Sequence, residues 1–345
     1  MIARHLFAFL FVICLGLPAV QQTPAAGRID GRASLNPQKI QRTVPKAAVA
    51  QPSSARGKYF IAGDDSGKVD IFSKDGQVLR SFNGHFTIND GFAVGDVNGD
   101  GVDEILIAGD GKGRVDIFNQ KGDPIGSFNG KFTINDGFAV GDVNGDRKDE
   151  ILIAGDTKGN VDIFNMDGTL LRSFNAGFTK NDGIAAGDTD GDGKEEIVIC
   201  GDDTGQIDIY TFEGGRLRRF NRNERFTGGG SDYYRLRLGV GDVDGDGSNE
   251  IIVTRYSYLW SVGAITSNNA FIISPTGTIM KELALNFTTN DELGVGDVNE
   301  DGRCEIVVAG DKTRNIQVFN DHGDLISSFV GNFTKNDGFA VARHR

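Results

Sequence analysis

The 345-residue sequence predicts an all-β fold, a β-propeller of six four-stranded blades, and three observations carry that prediction. A nine-residue loop, Asp-x-Asn/Asp-x-Asp followed by Glu at the ninth place, begins at Asp96, Asp142, Asp188, Asp242 and Asp297, at intervals of 46, 46, 54 and 55 residues. A second marker, FTxND, recurs at Phe86, Phe132, Phe178, Phe287 and Phe333, with a degraded copy, FTGGGSD, at Phe226. Between markers run four short apolar segments, rich in β-branched residues and Phe, punctuated by Gly, Asp and Asn and without a helical period. Four strands in a repeat of about 46 residues is the sequence signature of a propeller blade.

Along the chain, residues 1–25 read as an export signal: a basic start, MIARH, then the apolar run LFAFLFVICLGLPAV and small residues around Pro18 to Ala26. The run is shorter than the roughly 20 residues of a spanning helix, so a cleaved signal is favoured over a signal-anchor. Ile13 before Cys14 is too large for a lipoprotein cleavage site. Residues 26–57 contain Pro37, Pro45 and Pro52 among small and polar residues and read as a flexible linker. The propeller is expected over 58–345.

The first unit offers three strands only, YFIAGD (59–64), KVDIFS (68–73) and VLRSFNG (78–84). It lacks the strand that precedes the Asp-rich loop in every other unit. The last segment, GFAVARHR (338–345), supplies that strand without the loop. Both ends thus complete one blade and close the ring at six; the alternative is a truncated seven-bladed ring. Closure also removes two sheet edges that would invite aggregation. The first strand of each unit (FAV, FAV, IAA, LGV, LGV, FAV) is small enough to crowd an axis. The second, such as EILIAG (104–109), is apolar throughout and suits burial between blades; the third, such as RVDIFN (114–119), alternates and belongs farther out.

In the loop from Asp96, oxygens of Asp96, Asn98, Asp100 and Glu104 and the backbone carbonyl of Val102 can converge on one hard cation, with Gly101 permitting the turn. The equivalent sets are Asp142, Asn144, Asp146, Lys148 and Glu150; Asp188, Asp190, Asp192, Lys194 and Glu196; Asp242, Asp244, Asp246, Ser248 and Glu250; and Asp297, Asn299, Asp301, Arg303 and Glu305. The seventh residue of each set acts through its carbonyl. Calcium, up to five ions, is expected over magnesium, which demands a stricter octahedron. An EF-hand is excluded, because position 12 is Ile107. Hairpin turn chemistry alone would explain the glycines but not the fixed acid at position nine. Arg147 stands where Gly101 stands, so its loop is the expected weak site, and Glu300 is an expected solvated turn residue.

GFAVGDVNGDGVDEILIAG resembles the FG-GAP/VCBS repeat of integrin α-subunit propellers and many exported bacterial proteins. The resemblance covers about 58–345 and implies calcium in the turn between the first and second strands of a blade, on one face of the disc. The missing loop in the shared blade and the count of six rather than seven depart from integrins, so integrin-like partner recognition does not transfer.

The net charge of −12 argues against nucleic acid as a partner. After signal cleavage only Cys200 and Cys304 remain, at non-equivalent places, so no disulfide framework is expected; Cys200 reads as a small core residue. His85, His322 and His344 are isolated and the clustered carboxylates belong to the loops, so no catalytic residue is assigned. The FTxND connections and turns such as GDTKG (155–159) should share the face opposite the loops, with Asn and Asp closing turns and Phe packing between blades. The basic RLRRFNRNER (216–225) and aromatic YSYLWSVGAITSNN (256–269) lie in the two long units and are the candidate specificity loops.

Functionally the sequence points to a secreted, periplasmic or cell-surface monomer without a stable membrane span. It would act as a non-enzymatic binding or adhesion scaffold for an unidentified protein or glycan. The alternatives are a lectin with sites between blades, which the single Trp260 disfavours, and a propeller glycan hydrolase or lyase.

Overall fold

The computed structural model describes residues 57–109, 111–201, 205–221, 233–259, 264–285, 287–288 and 290–343. The expected signal, the expected linker up to residue 56, the degraded marker at Phe226, residues 222–225 of the basic stretch, Trp260 and His344 lie outside the described residues.

Three strands open the chain: β1 (Lys58–Ala62), β2 (Lys68–Ser73) and β3 (Val78–Asn83). Blade 1 is β4 (Gly91–Gly95), β5 (Glu104–Gly109), β6 (Arg114–Phe118) and β7 (Pro124–Asn129). Blade 2 is β8 (Gly137–Gly141), β9 (Glu150–Ala154), β10 (Asn160–Phe164) and β11 (Leu170–Asn175). Blade 3 is β12 (Gly183–Gly187), β13 (Glu196–Cys200), β14 (Gln206–Tyr210) and β15 (Arg216–Asn221). Blade 4 is β16 (Tyr233–Gly241), β17 (Glu250–Leu259), β18 (Ala264–Ile273) and β19 (Ile279–Ala284). Blade 5 is β20 (Glu292–Gly296), β21 (Glu305–Ala309), β22 (Asn315–Phe319) and β23 (Leu325–Val330). β24 (Gly338–Val341) then pairs antiparallel with β1, Tyr59 opposite Val341, and the closing blade has the order β24-β1-β2-β3. The ring therefore has six blades, and the seven-bladed alternative is set aside.

Each inner strand touches the inner strands on either side, β4 to β8 to β12 to β16 to β20 to β24 and back to β4. Every residue of β5, β9, β13 and β21 except the terminal Gly109 is buried, because those strands have a blade on both faces. Six apolar clusters fill the six gaps between neighbouring blades. In one, Leu106, Ala108 and Ile117 of blade 1 meet Val140, Ile151 and Ile153 of blade 2. Among the described residues, the marker phenylalanines Phe86, Phe132, Phe178, Phe287 and Phe333 are at most 2% exposed, each in a different gap between blades. They are plugs between blades.

The long units differ from a simple loop reading. Residues 256–259 and 264–269 continue the β17–β18 hairpin, which pairs out to Leu259 opposite Ala264, so most of the stretch expected as a specificity loop has strand backbone. Its run of Tyr, Ser and Leu suits a pleated ladder as well as a loop. Among the described residues no helix is long and apolar enough to cross a membrane. Cys200 is 1% exposed in the cluster between blades 3 and 4, and neither Cys200 nor Cys304 is joined in a disulfide.

The two sides of one FTIND connection should behave oppositely. Phe132→Ala empties a sealed gap and should cost about 3–5 kcal/mol in urea unfolding. Ile134→Ser, at a side chain 49% exposed, should stay within about 0.5 kcal/mol of the parent. Equal midpoints for the two variants would contradict the plug role.

Candidate metal centres

The five Asp-rich loops all join the first strand of a blade to its second, at one end of the disc. Their first residue organises them. Asp96 Oδ1 accepts the N–H groups of Gly99 (2.7 Å) and Asp100 (3.0 Å), and its Oδ2 accepts that of Gly101 (2.8 Å). Asp142, Asp188 and Asp242 repeat the three bonds, and Asp297 accepts from Asp301 and Gly302. The third residue caps the fifth and the fifth caps the seventh: Asn98 Oδ1 accepts from Asp100 N–H (2.8 Å), and Asp100 Oδ1 from Val102 N–H (2.9 Å). Backbone donors thus shape each loop so that its oxygens crowd together.

The ninth residue is the buried wall of the pocket. Glu104, Glu150, Glu196, Glu250 and Glu305 are all 4% exposed or less. Burial, reinforced by the neighbouring loop carboxylates, pushes Glu104 and Glu150 up to about 8 and Glu250 and Glu305 up to about 7, and raises Glu196. Glu104 Oε2 is buried without a hydrogen-bond partner.

The third residue then divides the loops in two. In three of them an amide nitrogen sits between the other acids: Asn98 Nδ2 donates to Glu104 Oε1 (2.7 Å) and Asp100 Oδ2 (3.2 Å), and Asn144 and Asn299 do the same. In the other two that place holds a carboxylate. Oxygens of Asp188, Asp190 and Glu196, and of Asp242, Asp244 and Asp246, lie within 4.8 Å of one another. Like charges at that spacing with a low-dielectric wall repel strongly, and a divalent cation is the simplest relief. The donor set is all oxygen and mostly carboxylate, which fits calcium.

Arg147 takes φ 71° at the sixth place, as Gly101 takes φ 83°, so the loop geometry is kept with a side chain where glycine is easier. Glu300, at φ 68°, is exposed in its turn.

A functional position that the motif did not single out is the eighth. Asp149 N–H donates to the Asp96 carbonyl (2.9 Å), Glu195 to Asp142 (3.0 Å), Asn249 to Asp188 (2.8 Å) and Cys304 to Asp242 (2.7 Å). Every such bond leaves one blade and ends on the first loop residue of the blade before it. Asp149 Oδ2 also accepts the Asp96 N–H at 2.8 Å. This close approach explains the Gly-Asp that opens every loop: a Cβ at Gly95 would run into the Asp149 carboxylate, and one at Gly141 into that of Glu195. The residue types at position eight share nothing but a backbone N–H, so only register across blades could have revealed them.

On the opposite face the FTxND and Gly-Asp turns do meet. Asp136 Oδ1 accepts Asp156 N–H (2.9 Å), Asp291 Oδ1 accepts Asp311 N–H (2.9 Å), and Asp337 Oδ1 accepts Asp64 N–H (3.0 Å). Each marker Asp also caps its own Thr, as Asp90 does Thr87 at 2.8 Å. These acids close turns. In the basic stretch, Arg219 forms two 2.6 Å bonds to Asp208 of its own blade, so that charge is paired within the sheet. His85 is exposed, and His322 lies against Asp321 at 2.5 Å, also in the open.

The sequence profile described as FG-GAP-like repeat matches residues 96–152, 142–199 and 188–253. Among curated proteins none matches the chain. Among solved structures, a virginiamycin B lyase from Staphylococcus aureus is similar at 13% identity, over 80% of this chain and 81% of that one, with a TM-score of 0.51; the likeness shows the propeller fold alone. A protein of unknown function from Bacteroides caccae is similar at 10% identity over 83% and 99% of the two chains (TM-score 0.49). An Agrocybe aegerita lectin that recognises non-reducing terminal N-acetylglucosamine is similar at 15% over 83% and 96% (TM-score 0.49).

Arg147→Gly should raise stability by about 0.5–1 kcal/mol in chelator, because glycine adopts the left-handed backbone without a Cβ penalty. Urea unfolding measures it. A loss of stability would show that the Arg147 side chain contributes more than its backbone costs.

Proposed function

This chain is an FG-GAP-repeat β-propeller, and on that premise we propose that it is a calcium-stabilised, non-enzymatic binding scaffold that works outside the cytoplasm. The observation that carries the calcium reading is the pair of loops in which three carboxylate groups converge within 4.8 Å against a buried wall. Asp188, Asp190, Asp192, Lys194 (through its carbonyl) and Glu196 would hold one ion, and the equivalent sets the others. Bound calcium would supply positive charge to the loop oxygens. The chain's own part is to hold the first Asp by backbone donors, to bury the ninth Glu, and to join each loop to the next blade through position eight.

The propeller itself fits a binding scaffold: a rigid disc with two faces of connections, one given over to the Asp-rich loops. The non-enzymatic part of the reading rests on the clustered carboxylates having a structural use already. The extracellular part rests on the basic and apolar start of the sequence and on the millimolar calcium found outside cells.

Extracellular modules bind calcium at about 10⁻⁴–10⁻³ M, so at about 1 mM each site adds about 0.4–1.4 kcal/mol to folding. The full chain should therefore melt several degrees higher in about 2 mM calcium than in chelator. An unchanged melting temperature would end the calcium reading. Charge count also orders the sites. The loops from Asp188 and Asp242, with a fourth carboxylate each, should fill first in a calcium titration. Asp190→Asn combined with Asp244→Asn should remove that tighter class, weakening it about tenfold; a titration identical to the parent would contradict the order.

A further inference from the structure

The closing blade reverses the charges of the other five. Its inner segment GFAVAR (338–343) stands in register with GFAVGD (91–96): Tyr59 pairs with Val341 as Ile105 pairs with Val94. Arg343 therefore occupies the place of Asp96, and Lys58 the place of Glu104. The two acids that begin and end a loop elsewhere are here two cations. No turn joins β24 to β1, so the innermost strand of this blade, four residues long, is paired to its sheet along one side only. A strand so short and so paired has few backbone bonds to hold it and needs a further tie.

Arg343 makes the tie. Its backbone N–H donates to Asp103 Oδ2 at 2.8 Å, the same bond that Asp96 N–H makes to Asp149 in the next gap. Its side chain does something no loop aspartate does, and spans the end of the axial cavity of about 320 Å³. Nη1–H donates to the Val140 carbonyl at the end of β8. Nη2–H donates to the Ala186 carbonyl of β12 (3.3 Å) and to Glu195 Oε2 (2.5 Å). One guanidinium thus joins the closing blade to blades 2 and 3, whereas the position-eight bonds join only neighbours. The side chains of Arg343 and Glu195 are 24% and 15% exposed, so solvent screens the pair little. Lys58 completes the arrangement from the β1 side: Nζ donates to Gln120 Oε1 (2.7 Å), and Gln120 Nε2 donates to the Asp103 carbonyl (3.1 Å).

We propose that Arg343 is a cross-channel clasp that holds the closing strand in the ring, doing for the sixth blade what a covalent loop does for the other five. The clasp uses no metal and acts across the channel, so its loss loosens the β1–β24 seam first.

Hydrogen–deuterium exchange on the full chain in excess chelator tests this independently of any ion. Arg343→Gln should speed exchange in the β1–β24 ladder on the order of tenfold while the β16–β17 ladder of blade 4 keeps its parent rate. Glu195→Gln should loosen the same seam to a smaller extent, and the double variant should be little worse than Arg343→Gln alone, because the Arg343–Glu195 bond is already lost in that single variant. Arg343→Lys keeps the charge without the planar fork and should fall between parent and Arg343→Gln, which keeps the test available if the glutamine variant does not fold. Unchanged exchange at the seam, equal acceleration in all six blades, or effects of Arg343→Gln and Glu195→Gln that simply add would each overturn the proposal.

Discussion

The hydrogen bond from the eighth residue of one loop to the first carbonyl of the loop before it is the contact on which the rest of the structure depends. A single blade cannot bury both faces of its second strand; Ile105, Leu106 and Ile107 are dry only because blades stand on either side. Neighbouring blades must therefore approach closely at a fixed height, and the bond from Asp149 to Asp96 sets that height at one end. It also explains the glycine before each first Asp, since any side chain there would hold the blades apart. At the other end, each described marker phenylalanine fills the space between two blades. Register at one end and packing at the other make the ring.

The same first aspartate serves two structures at once. Its carboxylate gathers the N–H groups of its own loop, and its carbonyl accepts the next blade. A cation held by the loop would thus stiffen the seam between blades as well as the turn. Local and inter-blade order share one residue, so any ion that the loop bound would be linked to ring stability through it. In the closing blade the residue at that place is Arg343, and the link is made by a guanidinium reaching across the channel.

Much of this was legible in the sequence, and the reasons are physical. Strand period, turn residues and a fixed repeat length are local properties, so the 24 strands, their grouping and the shared blade follow from spacing and from the two ragged ends. The loop acids are legible as a set because the same residue types recur at fixed places in all five loops. Position eight was not, because it acts through a backbone N–H that residues as different as Asp149, Glu195, Asn249 and Cys304 all possess. Arg343 was not, because its partners lie in blades 2 and 3, more than 140 residues earlier in the chain. The aromatic stretch at 256–269 suggests a loop because it lies in a unit longer than the repeat, although β-prone residues can lengthen a hairpin as easily as interrupt one.

The central claim is that the five loops are cation sites organised by their first aspartate. Native mass spectrometry of the full chain titrated with calcium tests it most directly, since it counts ions per molecule. The account predicts uptake rising to five ions, and one fewer when Asp188 is replaced by Ala in a chain that still folds. A chain that takes up no calcium, or that takes up the same number without Asp188, would contradict it.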